Sequence, residues 1–140
     1  IMNIESEYLG AVGLATMVIR PGDTAVALGI GELPIAAGSH LLNVMESACV
    51  TAIAEYFEGS ETTILSGSSI EVLAGVSIGT EIRGMARCIE VNGKELTFEC
   101  DIYDGERHIA HGQIKRTAVE RVSFLARTAA QTLTSAPRIN

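Results

Sequence analysis

The residue whose type and placement most suggest chemistry is an acid on a helix. Between Ser39 and Glu58 there is no Gly or Pro. Apolar residues recur there at i, i+3, i+4 and i+7: Leu41, Leu42, Met45, Ala48, Cys49, Ala52, Ile53 and Tyr56. That spacing predicts one long helix, capped at Gly38–Ser39 and stopped at Gly59. On a wheel of about 100° per residue, His40, Ser47, Thr51, Glu55 and Glu58 share a polar face. Leu42, Met45, Cys49 and Ile53 face the core. Glu46 falls beside Ile53 and Phe57, with Asn43 one turn earlier at the edge. Glu46 is therefore expected to aim a carboxylate at apolar surroundings.

A Glu is rarely buried without a partner. Loss of water around a carboxylate favours its protonated form and makes it a stronger base near neutral pH. Two readings follow. In the structural one, Glu46 pairs with a strand arginine such as Arg83 or Arg87. In the functional one, Glu46 is a general base or nucleophile toward an acyl group. The free N–H groups around Gly38, Ser39 and His40 would then hold a developing oxyanion.

The elements that position these residues are also legible. Asn92-Gly93 and Asp104-Gly105 are type I′ hairpin dipeptides. Between them Leu96, Phe98, Cys100 and Ile102 alternate with polar residues, so 95–103 is a half-buried strand. Segments 79–91 and 106–117 should flank it in an antiparallel meander. Segment 61–73 is β-rich and adds a strand, and Leu14–Arg20 reads as another, ending at the Pro21-Gly22-Asp23 turn. Val119–Ala130 reads as a shorter surface helix. One long helix against one antiparallel sheet is an α+β layer, and a helix wrapped in this way is a hot-dog arrangement.

Composition narrows the function. The chain has 140 residues, enough for one domain spanning 1–140. It is 47% hydrophobic with only 4% aromatic residues and no Trp, so the core is aliphatic. The net charge of −7 argues against nucleic acid and against an anionic membrane. Residues 1–80 hold nine acids and only Arg20 as a base, whereas residues 81–140 hold nine bases and eight acids. An anionic ligand is thus expected to meet the second half. Cys49, Cys88 and Cys100 show no metal-site spacing, and no metal is expected. With no signal-peptide pattern, they are expected to be reduced core thiols of a cytoplasmic protein. No apolar tract is long enough to span a membrane. Met2 is expected to be the natural start, with Ile1 a remnant.

Other candidates are weaker. His108 and His111, three apart around a strand, should face opposite or oblique directions and share no metal. His40 belongs to the polar helix face, as a solvated or capping residue. Cys49 is expected to pack rather than react. Leu28-Gly29-Ile30-Gly31 lacks the third glycine and the strand-then-helix context of a phosphate loop. Ser66-Gly67-Ser68-Ser69 lacks the nucleophile elbow of a serine hydrolase.

The stretch Thr24-Ala25-Val26-Ala27-Leu28-Gly29-Ile30-Gly31-Glu32-Leu33-Pro34-Ile35-Ala36-Ala37, followed by Leu41-Leu42-Asn43-Val44-Met45-Glu46-Ser47-Ala48-Cys49, resembles the fluoroacetyl-CoA thioesterase-like branch of the hot-dog thioesterases. Thr62-Thr63-Ile64, Leu73-Ala74, Gly79 and Gly112-x-x-x-Arg116 extend the likeness over roughly residues 10–125. The resemblance implies a double hot-dog homodimer with acyl-CoA at the subunit boundary, and no cofactor beyond the CoA of the substrate. It implies thioester hydrolysis by a Thr, a Glu and a His. The Glu matches Glu46. The Thr position falls on Gly38 and the His position on Val72. Ser39 could replace the Thr hydroxyl after a one-residue shift. Without the His, Glu46 either activates a water, which Asn43 could orient, or attacks directly. The alternative is a non-catalytic protein that binds acyl-CoA or another small ligand. CoA phosphates would need some of Arg83, Arg87, Lys94, Lys115 and Arg116.

Overall fold

The computed structural model describes residues 7–135. Its elements are β1 (Val12–Val18), α1 (Gly38–Ile53), β2 (Glu61–Val72), β3 (Glu81–Asn92), β4 (Glu95–Asp104), β5 (Arg107–Glu120) and α2 (Arg121–Ser135). Short 3-10 turns follow β1 at Pro21–Asp23 and α1 at Ala54–Tyr56. The strands form one antiparallel sheet in the order β1-β3-β4-β5-β2. The sheet curls around α1 in the expected α+β hot-dog arrangement.

The helix is in place for the reason its spacing gives. Leu41, Val44, Met45, Ala48, Cys49, Ala52 and Ile53 are all buried. They meet Ile82, Ala86, Phe98, Cys100, Ile102 and Ile114 from the sheet. Fully burying one such Leu, Ile or Phe contributes about 1.5–3 kcal/mol. Two glycines let α1 sit close to the strands. A Cβ at Gly13 would strike the backbone of Ala48 and Ala52, and one at Gly84 would strike Val44.

Several boundaries differ from expectation. The helix N-cap is Ala37, whose side chain accepts no hydrogen bond, rather than Gly38 or Ser39. The helical stretch tightens into the 3-10 turn and ends at Tyr56, short of Glu58. Both hairpin turns sit one residue later than the dipeptides suggest. Asn92 pairs with Glu95 and Asp104 with Arg107. The two-residue loops are therefore Gly93-Lys94 and Gly105-Glu106. Only the glycines have positive φ (63° and 59°), so the pattern is that of type II′ rather than type I′ turns.

One sheet irregularity re-aims side chains. Ile102 pairs with Ala110 and Tyr103 with His108, which leaves Ile109 as an extra residue in β5. This bulge turns His108 and His111 onto the same face, against the expectation that they diverge. Their rings stack with centroids 6.0 Å apart. Each imidazole takes its own carboxylate, Asp101 at 2.8 Å and Glu71 at 3.1 Å. Among the described residues no cluster of three or more His, Cys, Asp or Glu could hold a metal ion. Among the described residues no helix is long and apolar enough to cross a membrane.

Candidate active site

Glu46 lies on the flank of α1 that faces β5 and β2. It is not in an apolar environment: its side chain keeps 32% of its exposure. Its partner is neither Arg83 nor Arg87. Arg83 is exposed, and Arg87 lies 3.7 Å from Glu99 on the outer side of the sheet. Arg116 Nη1 instead donates to Glu46 Oε1 at 2.8 Å. The same guanidinium donates from Nε to Thr63 Oγ1 at 2.8 Å and from Nη2 to the Thr63 carbonyl at 3.0 Å. Arg116 is buried, so its charge is balanced by a carboxylate and two oxygens of β2. The arrangement leaves Glu46 Oε2 without a bond to the arginine.

Arg116, expected only as a possible contact for CoA phosphates, and Thr63, expected only within the family likeness, are the residues that complete the Glu46 site. A signal was present. Gly112, Ile114 and Arg116 alternate along β5, and the first two face the core. Period two therefore places a charged side chain on the inward phase, where it requires a partner.

Around the pair lies an open depression of about 410 Å³ lined by Asn43, Glu46, Ser47, Val50, Thr51 and Arg116. Asn43 thus shares a surface with Glu46. It is exposed, and its Oδ1 accepts from Ser47 Oγ at 3.5 Å.

The start of α1 offers donors. His40 N–H and Leu41 N–H both donate to the Ala37 carbonyl, at 3.0 and 3.1 Å. The N–H groups of Gly38 and Ser39 have no acceptor among the described residues, and both residues are exposed. These two amides carry the positive end of the helix dipole. His40 does not belong with them, since its amide is already used. Its imidazole lies on the opposite flank from Glu46, with Nε2 3.2 Å from Asp23 Oδ1. Six residues, or about 240° of helix, separate the two side chains. Gly38 leaves open space where a side chain would begin, with nothing within 4 Å of a Cβ. Val72, at the end of β2 and paired with Ala110, is 52% exposed. Ser39 makes no side-chain hydrogen bond among the described residues.

Cys49 lies one turn after Glu46 on the core side, and its sulfur is 3.6 Å from that of Cys100. The contact with Cys100, and then burial, push the Cys49 thiol far above its ordinary range. It is fully buried and packs in the core.

The family described as fluoroacetyl-CoA-specific thioesterase matches residues 19–122. The chain belongs to this family. The fluoroacetyl-CoA thioesterase of Streptantibioticus cattleyicolor is 26% identical over 102 residues, 72% of this chain and 73% of that enzyme. A solved structure of a fluoroacetyl-CoA thioesterase, a threonine-to-alanine variant with fluoroacetate, is similar with a TM-score of 0.81 at 25% identity. That match covers 89% of this chain and 98% of the other. A hot-dog-like protein from Thermanaerovibrio acidaminovorans reaches a TM-score of 0.85 at 14% identity, covering 98% and 100% of the two chains. At that identity the likeness speaks for the fold alone.

Proposed function

We propose that this protein is a cytoplasmic, homodimeric acyl-CoA thioesterase in which Glu46, held by Arg116, is the essential carboxylate. Membership of the thioesterase family supports the substrate class. The single observation behind the residue assignment is the pairing of one Glu46 oxygen with Arg116 beside an open depression, which leaves the other oxygen for a water. The exposed amides of Gly38 and Ser39 supply an oxyanion site, because two free N–H groups at a helix start stabilise charge on a thioester oxygen.

Helix geometry favours a water between the carboxylate and the thioester. Gly38 and Glu46 are eight residues apart, or about 12 Å along the axis. A glutamate side chain leans back toward the N-terminus and closes only part of that gap. A water between the carboxylate and the thioester carbon spans the remainder more readily than direct attack to form an anhydride. Glu46 therefore takes a proton from water, the hydroxyl adds to the thioester carbon, and collapse expels the CoA thiolate. Asn43, on the same depression, orients that water. The three free cysteines accord with a reducing compartment.

The test is release of CoA thiol from a panel of acyl-CoAs of increasing chain length. A second reading, binding without turnover, is favoured by Gly38 and Val72 at the hydroxyl and imidazole positions. Calorimetry with acyl-CoA separates the two: heat of binding without thiol release supports the second reading and removes the first.

A further inference from the structure

We infer that α2 of one copy docks its apolar stripe into a groove between the end of α1 and the start of β2 on a second copy. The helix is well formed, but its apolar stripe has nothing to pack against among the described residues. None of its residues is buried, although its first turn is capped by Glu120, whose carboxylate accepts from Ser123 N–H at 2.7 Å and Val122 N–H at 3.3 Å. A lone helix of this length is marginal in water, so it requires a surface. Val122, Leu125, Ala126, Ala129 and Leu133 fall within about 100° of one another on the wheel. Three of them are largely exposed: Val122 at 71%, Leu125 at 62% and Leu133 at 80%. Ser123, Thr128, Gln131 and Thr134 lie off this stripe. An apolar stripe of this kind with a mostly polar remainder, Phe124 being the half-buried exception, is the pattern of a helix that lies in a groove.

A groove of matching character is present. Val50, Ile53, Ala54 and Phe57 supply its apolar lining, and Glu58 and Glu61 supply carboxylates, in a volume of about 310 Å³. Neither glutamate forms an ion pair among the described residues. The helix has the opposite sign. Residues 121–140 contain Arg121, Arg127 and Arg138 and no acid, so with a chain total of −7 the remaining residues carry −10. Charge complementarity thus favours a second acidic body of this same chain as the occupant, and disfavours a neutral partner. Arg121, the first residue of α2, already lines the groove of its own copy, so the helix leaves the domain beside it. Arg116 and Thr63 line the same groove. A helix seated there would lie beside Arg116 and Thr63. This contact stands apart from the proposed hydrolysis and would hold for a non-catalytic protein.

The experiment places p-benzoylphenylalanine at position 125 of the full chain and mixes nitrogen-14 and nitrogen-15 copies before irradiation. The expected product joins residue 125 of one isotope to a peptide within 50–63 of the other. Cross-links confined to one isotope would mean the helix folds back on its own copy, and cross-links elsewhere or none would also overturn the inference. Leu133→Asp keeps the fold, since Leu133 is exposed, and should lower the cross-link yield at least about tenfold by placing a charge in the stripe. An unchanged yield counts against the docking. Co-sedimentation with phosphatidylserine vesicles, in the absence of cross-links between copies, would assign the stripe to a membrane instead.

Discussion

Arg116 Nη1 and Glu46 Oε1 meet at 2.8 Å across 70 residues of sequence, and this bond joins β5 to the long helix. The guanidinium also holds Thr63 through its hydroxyl and carbonyl. One buried cation thus fixes a helix and two strands at the position where the candidate carboxylate emerges.

Arg116→Ala should cost about 1–3 kcal/mol of stability, because it leaves Glu46 and both Thr63 oxygens without their charged donor. The half-open position of Glu46 keeps the cost below that of a fully buried pair. Urea unfolding of the variant measures it. A loss below about 0.5 kcal/mol, the level of an exposed pair, would show that the triangle is not structural.

Gly13→Ala should destabilise by about 1–3 kcal/mol without touching any candidate site residue. The new methyl would strike the backbone of Ala48 and Ala52, and backbone cannot rotate away. Gly38→Ala, at a position with open space, serves as the contrast. Equal melting temperatures for the two variants would contradict the close approach of β1 to α1.

The double variant Gly38→Thr/Val72→His should fold normally, since Gly38 has room for a side chain and Val72 is half exposed. It returns a hydroxyl and an imidazole to the positions that the family resemblance assigns them. Hydrolysis of a short acyl-CoA should rise at least about tenfold, a modest share of what a placed acid–base group supplies. No gain in kcat/KM would mean that these two positions do not face the reacting thioester.

The cap of α2 should weaken in acid. Hydrogen bonds from the Ser123 hydroxyl and N–H, and from Val122 N–H, hold the Glu120 carboxyl below its ordinary value. A depressed folded value means the contribution is present above the unfolded value and lost as pH falls through the folded one. The protection of the Ser123 amide, its exchange rate relative to the intrinsic rate at the same pH, should therefore fall as the carboxylate protonates, and Glu120→Gln should remove that change in protection. A protection factor that does not change with pH in the wild type would contradict the cap.

Thiol titration should find Cys49 and Cys88 unreactive in the folded protein. Burial pushes the Cys88 thiol up, and Cys49 is raised by Cys100 and by burial. Rapid alkylation of Cys49 under native conditions would contradict its place in the core.

Much of the fold was legible because two periodicities carry it. The spacing from Leu41 to Ile53 placed the helix, and the alternation from Leu96 to Ile102 placed the central strand of the meander. What failed was local. The wheel put Glu46 on the apolar side, yet a wheel shows direction and not what arrives from another strand. Arg116 comes from 70 residues away and meets it there. The extra residue at Ile109 shifted His108 onto the face of His111, and no composition cue marks such a bulge. The turns moved by one residue because only glycine adopts positive φ in them, which leaves Asn92 and Asp104 as the last strand positions.

The most direct measurement of the central claim is kcat/KM of wild type and Glu46→Gln on the acyl-CoA that the wild type cleaves best. Glutamine keeps the size of the side chain and can still accept from Arg116, but it takes up no proton. The account predicts a loss of at least about a hundredfold, the contribution of a general base, with binding of acyl-CoA retained. Activity within about twofold of wild type, or no cleavage of any acyl-CoA by the wild type itself, would contradict it.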